Sequence, residues 1–599
     1  MKQLQNLTFL ADFNPYVRLT DGSLPPKELL FQSRYQDGSL RVTVQNHSTR
    51  HLAIREIVLY ETSLPFAGIT EKTRFYGEGF QMLTQYAGTV ENPQVIGSYG
   101  TDWDFFHFPR NAYHRDHWTV YNYITFMPHT KQQDSLLFGF CSTHRFSGEF
   151  RFNKTHFEIV MNTEDIVLDR GESWELEELY AACGARDELI SEMARRLNRN
   201  HPRMIWKGKM PSGWCSYYCL RPMTTEGLVR NAKAMAQRIP QLGMIQIDAG
   251  YSAPQADWLT PNPKMGGDMK TTCEQIRQQG VEAGGYLSPF MHDPSRYLPN
   301  QHPEWMVQDE DGHPTAKVGR KGYLILDGTN PDARAYILKT LKHFHDEWGI
   351  RYFKLDFIAY GAFQSGVRYN RKQTGVEAYR MLMKEICDML GEDSFILACN
   401  APMWPAIGLC HGNRVTNDIH REWKYIRQNA QELFWRNWQH DVLWYNDPDV
   451  IELQNLKLMR RMPDGTFDNP MTTMTQDEIE FHKAFAVACG GMILSGDLLD
   501  ELTEENILVL KKLLENTGIA ARFDDDTFQV GRTVRKDGSM LVELFNWEDA
   551  SRELKINLNN RYQVTDFWSE KVLEQDCAAL RVVLPAHGGR VLLCHPVSC

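Results

Sequence analysis

Four carboxylates stand where a short apolar run gives way to polar chain: Asp248 after "GMIQI", Asp356 after "RYFKL", Asp418 just past "NRV" and Asp449 after "WYNDP". Lys354 lies two residues before Asp356. On a strand that spacing points both side chains to one face, and a neighbouring ammonium favours the ionised carboxylate. Arg414 lies four residues before Asp418, where its guanidinium can bind that carboxylate or a sugar hydroxyl. Trp214, Tyr286, Cys399 and Asn400 end other runs of the same kind. Any one Asp is equally well explained as a helix cap, Arg414 as a loop salt bridge and Trp214 as core. Four acidic residues ending buried strands are harder to explain by structure alone, because an unpaired buried charge is costly. Two carboxylates, an aromatic wall and hydroxyl-binding groups together suit glycoside cleavage. One carboxylate attacks the anomeric carbon, one acid protonates the leaving oxygen, and a retaining reaction needs them ~5–5.5 Å apart.

The elements that must position these residues follow from hydrophobic periodicity. From about residue 204, short apolar runs alternate with longer amphipathic stretches. The runs are at 211–218, 243–251, 281–290, 351–361, 395–402, 413–420, 441–450 and 490–498. Eight such units predict a (β/α)8 barrel, whose strand ends converge on one pocket. The stretch 330–349 reads as a helix capped by Asn330, with Pro331 in its first turn and Gly349 as terminator. Before the barrel, "LRVTVQN" and "LAIREIVLYE" alternate apolar and polar residues, the period of half-buried sheet. The chain is therefore predicted to be multidomain, α/β plus all-β. We divide it into an N-terminal β-sandwich over 1–185, a linking helix over 186–203, the catalytic barrel over 204–518 and a C-terminal antiparallel β-sandwich over 519–599.

Composition narrows the class. The 599 residues carry a net charge of −11 with no basic block, which argues against a nucleic-acid or anionic-membrane partner. No run approaches ~18 apolar residues, so no membrane span is expected, and the N-terminus shows no secretory pattern. The 12 cysteines are scattered without a CxxC pair, which suits reduced thiols in a cytoplasmic enzyme. His411 and His420 flank the Asp418 segment, but no tetrahedral ligand set accompanies them.

Several of these motifs resemble the alpha-galactosidase clan, glycoside hydrolase families 27 and 36. "YFKLDF" resembles the clan's nucleophile strand and "RVTNDIHREW" its acid/base segment; "WYNDPDV", "SGDL" and "GWCSYY" match further strand ends. "HPEWMVQDEDGHPT", the large N-terminal domain and the tail "LFNW…DFWS…LPAHGGRVLL" resemble family 36 in particular. The resemblance implies Asp356 as nucleophile and Asp418 as acid/base in retaining hydrolysis of terminal α-D-galactosides. It also implies that Asp248, Tyr286, Lys354, Arg414 and Asp449 bind hydroxyls, that Trp214 lines the pocket and that Cys399 is a pocket cysteine. It implies no metal or cofactor; the partner is a small oligosaccharide or glycoside, and a homo-oligomer is open.

The sequence departs from the pattern in two places. Asp248 is followed by Ala249 where the clan has a second aspartate, and the fifth-strand loop reads "CNAPMWPAIGLC". Asn400, Met403 and Trp404 are therefore expected to reshape specificity, so α-N-acetylgalactosaminide or another α-glycoside is the alternative. The family also suggests a loop lent to the pocket by the N-terminal domain. The stretch 100–114 is the candidate, with Trp103 as an aglycone wall, and packing between domains is the other explanation. Two further readings are a transglycosylase of raffinose-synthase type and a non-catalytic carbohydrate-binding relative. The latter would be expected to have lost Asp356 or Asp418, and both are present.

Overall fold

The computed structural model describes residues 14–97, 117–127, 135–253, 256–314, 322–458, 460–461, 467–468, 470–515 and 518–597. Eight parallel strands form the central sheet: β1 (Ser212–Cys215), β2 (Met244–Gln246), β3 (Glu282–Leu287), β4 (Tyr352–Leu355), β5 (Phe395–Ala398), β6 (Gly412–Arg414), β7 (Tyr445–Asp447) and β8 (Ile493–Ser495). Seven of the eight runs predicted from the sequence contain one of them, and the sixth, 413–420, overlaps β6, which begins one residue earlier at Gly412. Neighbours follow chain order from β1 to β7, and β1 also pairs with β8. Closure falls on the seventh run, which is broken in two. Its first half pairs with β6, and its continuation, Val450–Ile451, pairs with β8. The break is at Asp449, whose φ of 75° turns the chain. The Met492 N–H completes the seam by donating to Asn446 O at 2.9 Å. The result is a closed (β/α)8 barrel.

Local chemistry explains its helices. Asn330 caps Pro331–Asp346 by accepting from the N–H groups of Asp332 and Ala333, as the sequence predicts. Thr374 and Glu377 form a reciprocal capping box at the start of Gly375–Leu390. The connection between β5 and β6 departs from the alternation. Residues 399–411 are turns without a helix, and Pro402 and Pro405 account for this, since each lacks a donor and disfavours helix before it. The segment finds its partners elsewhere. Met82 N–H donates to Ala401 O at 3.1 Å, and Met403 N–H donates to Phe80 O at 2.8 Å.

Phe80 and Met82 belong to the N-terminal domain, a 13-stranded antiparallel sheet running from Tyr16–Leu19 to Leu179–Gly184. Its strand Ser39–Asn46 alternates buried and less buried residues, as its sequence predicts. The helix Arg186–Asn200 leads to the barrel. After the barrel, six antiparallel strands from Arg522–Phe523 to Gly589–Pro596 form the C-terminal β domain. Among the described residues, no helix is long and apolar enough to cross a membrane.

Candidate active site

The strand-end carboxylates gather at the barrel's carboxyl end in two bonded groups. In the first, Lys354 on β4 donates to Asp248 Oδ2 at 2.9 Å, across β3. Gln246 Nε2 reaches the same oxygen at 2.7 Å, and Gln246 Oε1 accepts from Tyr352 at 2.9 Å. Gln246 and Asp248 are two residues apart and share a face, as do Tyr352 and Lys354. Burial alone would lower the Lys354 pKa, but Asp248, with Cys399 and Asp356, holds the ammonium firmly charged. Lys354 also lies 5.7 Å from the centre of the Tyr286 ring on β3, and Tyr286 is deeply buried.

The second group centres on Arg414, the last residue of β6. Its Nη2 donates to Asp449 Oδ2 at 2.6 Å and to Asp418 Oδ1 at 3.0 Å. Asp449 also accepts from Ile419 N–H at 2.7 Å and from the Tyr218 hydroxyl. Burial pushes the Asp449 carboxyl up to about 7 against the pull of Arg414. At Asp418 the balance is reversed. Burial would raise its pKa, but Arg414, helped by Lys354 and His420, holds it below the ordinary carboxylate value. Half of the Asp418 side chain, 51%, is open to solvent, whereas Asp356 is 7% exposed. One acid thus sits near the mouth and the other at depth.

Asp356 directly follows β4. Its Oδ1 accepts from Phe357 N–H at 2.7 Å and from Asn400 Nδ2 at 2.7 Å. The two groups meet electrostatically at Cys399, the residue after β5. Burial raises its thiol pKa far above normal, and Asp356 and Asp418 both add to that rise while Lys354 and Arg414 oppose it. Phe357, Asn400 and Asp449 all adopt positive φ, at 52°, 44° and 75°. Such strain in non-glycine residues persists only where the surroundings enforce it, and it clusters at functional sites.

The structure therefore brings together Asp248, Tyr286, Lys354, Asp356, Cys399, Asn400, Arg414, Asp418 and Asp449. Two of the expected aromatic residues have other positions. Trp214 is fully buried, and its indole N–H donates to Asp497 O at 2.6 Å, so the ring is part of the β1–β8 seam instead of a pocket wall. Trp404 is likewise buried; it donates to Phe140 O at 2.6 Å and stacks on Tyr123 at 5.7 Å, which commits it to the N-terminal domain. His411 is also buried, its Nδ1 accepting from Ile396 N–H. Trp103 and the stretch 100–114 lie outside the described residues. One described N-terminal segment that packs against the barrel is Glu78–Gln85; Asn162 and Glu164 reach Gln364, Arg368 and Gly375 after β4. Glu78 pairs with the buried Arg436 at 2.5 Å, and Gln85 donates to Glu432 O at 3.1 Å. The sequence reading missed Gln246, Tyr352 and Tyr218; period-two spacing from Asp248 and Lys354 marks the first two.

Comparison with known proteins agrees with this geometry. The Melibiase family model matches residues 249–394. A bifunctional alpha-galactosidase/sucrose kinase from Mediterraneibacter gnavus is 22% identical over 225 residues, 34% of this chain; the chain spans 23% of the length of that curated relative. The GH36 alpha-galactosidase AgaA from Geobacillus stearothermophilus shares the fold with a TM-score of 0.66 at 12% identity, over 98% of this chain and 89% of its own. TtGalA, an alpha-galactosidase from Thermus thermophilus, gives 0.62 at 20% identity over 84% and 97%. A GH27 β-L-arabinopyranosidase, also from Geobacillus stearothermophilus, gives 0.53 at 18% identity over 65% and 97%. Within the barrel, residues 249–394 are similar to the Melibiase family, and the chain as a whole shares its fold with GH36 and GH27 glycoside hydrolases.

Proposed function

We propose that this protein is a retaining, exo-acting α-glycoside hydrolase that releases terminal α-D-galactose. The observation that carries the reading is that a deep carboxylate, Asp356 after β4, and a mouth-side carboxylate, Asp418 after β6, both stand at the carboxyl end of one barrel. Asp356 attacks the anomeric carbon, and a new C–O bond forms as the glycosidic C–O bond breaks. The electron pair goes to the leaving oxygen, which takes the Asp418 proton. Water, deprotonated by Asp418, then attacks the same carbon and frees Asp356. Lys354, Asp248, Arg414 and Asp449 are hydrogen-bonding groups held in fixed positions, suited to sugar hydroxyls. The low pKa of Asp418 suits the base step. The acid step requires Arg414 to release part of its hold on Asp418, and a sugar hydroxyl competing for that guanidinium would do so.

Asp356→Ala should abolish turnover of an activated aryl α-galactoside, and azide should restore it with an inverted product. Near-normal activity in that variant would refute the assignment. Ala249 in place of a second carboxylate favours a second reading, another α-glycoside, because a site lacking one polar partner no longer selects for the matching hydroxyl. A panel of aryl α-glycosides of galactose, N-acetylgalactosamine, glucose and arabinose separates the two readings by kcat/KM.

A further inference from the structure

The amide of Asn400 is bonded to the carboxylate that the preceding reading makes the nucleophile. Asn400 Nδ2 and Phe357 N–H both donate to Oδ1 of Asp356. This leaves Oδ2 as the oxygen that attacks. Asn400 holds its position at a cost, with φ at 44° in the left-handed region and its own Oδ1 buried without a hydrogen-bond partner.

The surroundings that enforce this conformation come from two domains. From the barrel, Ala359 N–H donates to Asn400 O at 2.7 Å. From the N-terminal domain, Met82 Sδ lies 3.2 Å from Asn400 N–H. The Phe80–Met82 backbone bonds to Ala401 and Met403, and Gln81 bridges to Pro402. Resting on the nucleophile assignment, we infer that Asn400 is a positioning residue for Asp356, and that the N-terminal domain holds it there through Phe80–Met82. The reacting carboxylate is aimed from two domains at once.

The other groups whose charge or burial couples to Asp356 are Lys354 on β4, Tyr286 on β3 and Cys399 after β5. None of these three is removed by a change at Asn400, so the change in rate reports the lost donor. Asn400→Gly is the informative variant, because glycine accepts the left-handed backbone and removes only the amide.

On an activated aryl α-galactoside, Asn400→Gly should lower kcat by about 10- to 100-fold with little change in KM. Met82→Ala should show a smaller fall in kcat, and the double variant should be no slower than Asn400→Gly alone. A kcat within about twofold of normal in Asn400→Gly, or a loss that falls on KM instead of kcat, would overturn the positioning role. Full additivity in the double variant would overturn the link through Met82. Thermal unfolding of each variant gives the folded fraction, by which kcat is normalised. If Asp356→Ala remains active, the nucleophile reading itself fails. If Asp356→Ala is inactive and Asn400→Gly behaves normally, only the role of Asn400 falls.

Discussion

Arg414 is shared between two acids, and this fixes how the site should respond to pH. Asp449 takes the shorter bond, 2.6 Å against 3.0 Å for Asp418. Asp449→Asn would leave the guanidinium to Asp418 and Asn417 O and, above about pH 7 where Asp449 is ionised, would also remove a neighbouring negative charge. Both changes stabilise the Asp418 carboxylate, so its pKa falls further. The acid step needs Asp418 protonated, and the basic limb of the kcat/KM profile should therefore move to lower pH. Profiles measured with a poor leaving group would show this, because such substrates depend on protonation. An upward movement would mean that Asp449 does not compete for Arg414. The acids themselves were legible from sequence because a polar residue ending a buried strand is conspicuous. Trp214 and Trp404 were misread for the opposite reason. An indole is as well used in packing as in a binding wall, and nothing in the local sequence tells which.

At the scale of elements, the strands were more legible than the connections. Barrel strands are buried on both faces and read as continuous apolar runs, so seven fall within the predicted segments and β6 starts one residue before its own. The helix missing after β5 was signalled by Pro402 and Pro405, but its replacement was not. The backbone partners of Ala401 and Met403 are Met82 and Phe80, more than three hundred residues away in the chain. No periodicity encodes such a pairing. The C-terminal domain supplies a separate test of an element. Glu543 in the strand Met540–Phe545 is fully buried, and burial raises its carboxyl to about 7. The folded state therefore keeps the proton that the unfolded chain releases near the ordinary value of 4.5. Its contribution is present at low pH and is lost as pH rises through about 7. Glu543→Gln mimics the protonated form. Relative to the unmodified protein it should gain on the order of 3 kcal/mol between pH 5 and pH 8, read from denaturant unfolding at both. An unchanged difference between the two conditions would remove Glu543 as the cause.

Across the whole molecule, one buried cation joins the first domain to the second. Arg436, fully buried in the helix Trp423–Arg436, bonds to Glu78 and to the backbone oxygens of Met82 and Thr84 on one side, and to Val415 O on the other. Glu78→Ala would strand that guanidinium in the interior, at a cost of about 3–5 kcal/mol. The expected result is a lower denaturation midpoint together with reduced kcat, because the same contact anchors the segment that reaches Asn400. A stability loss with kcat unchanged would separate the two domains functionally.

The helix-free connection after β5 has one more consequence, for how this protein can be divided or recombined. Its barrel is not a portable cassette. A fragment starting at residue 204 would leave Ala401 O and Met403 N–H facing solvent, and would unmoor the turn that carries Asn400. A chimera that borrowed its first two hundred residues from another source would need to bring a matching Phe80–Met82 with them.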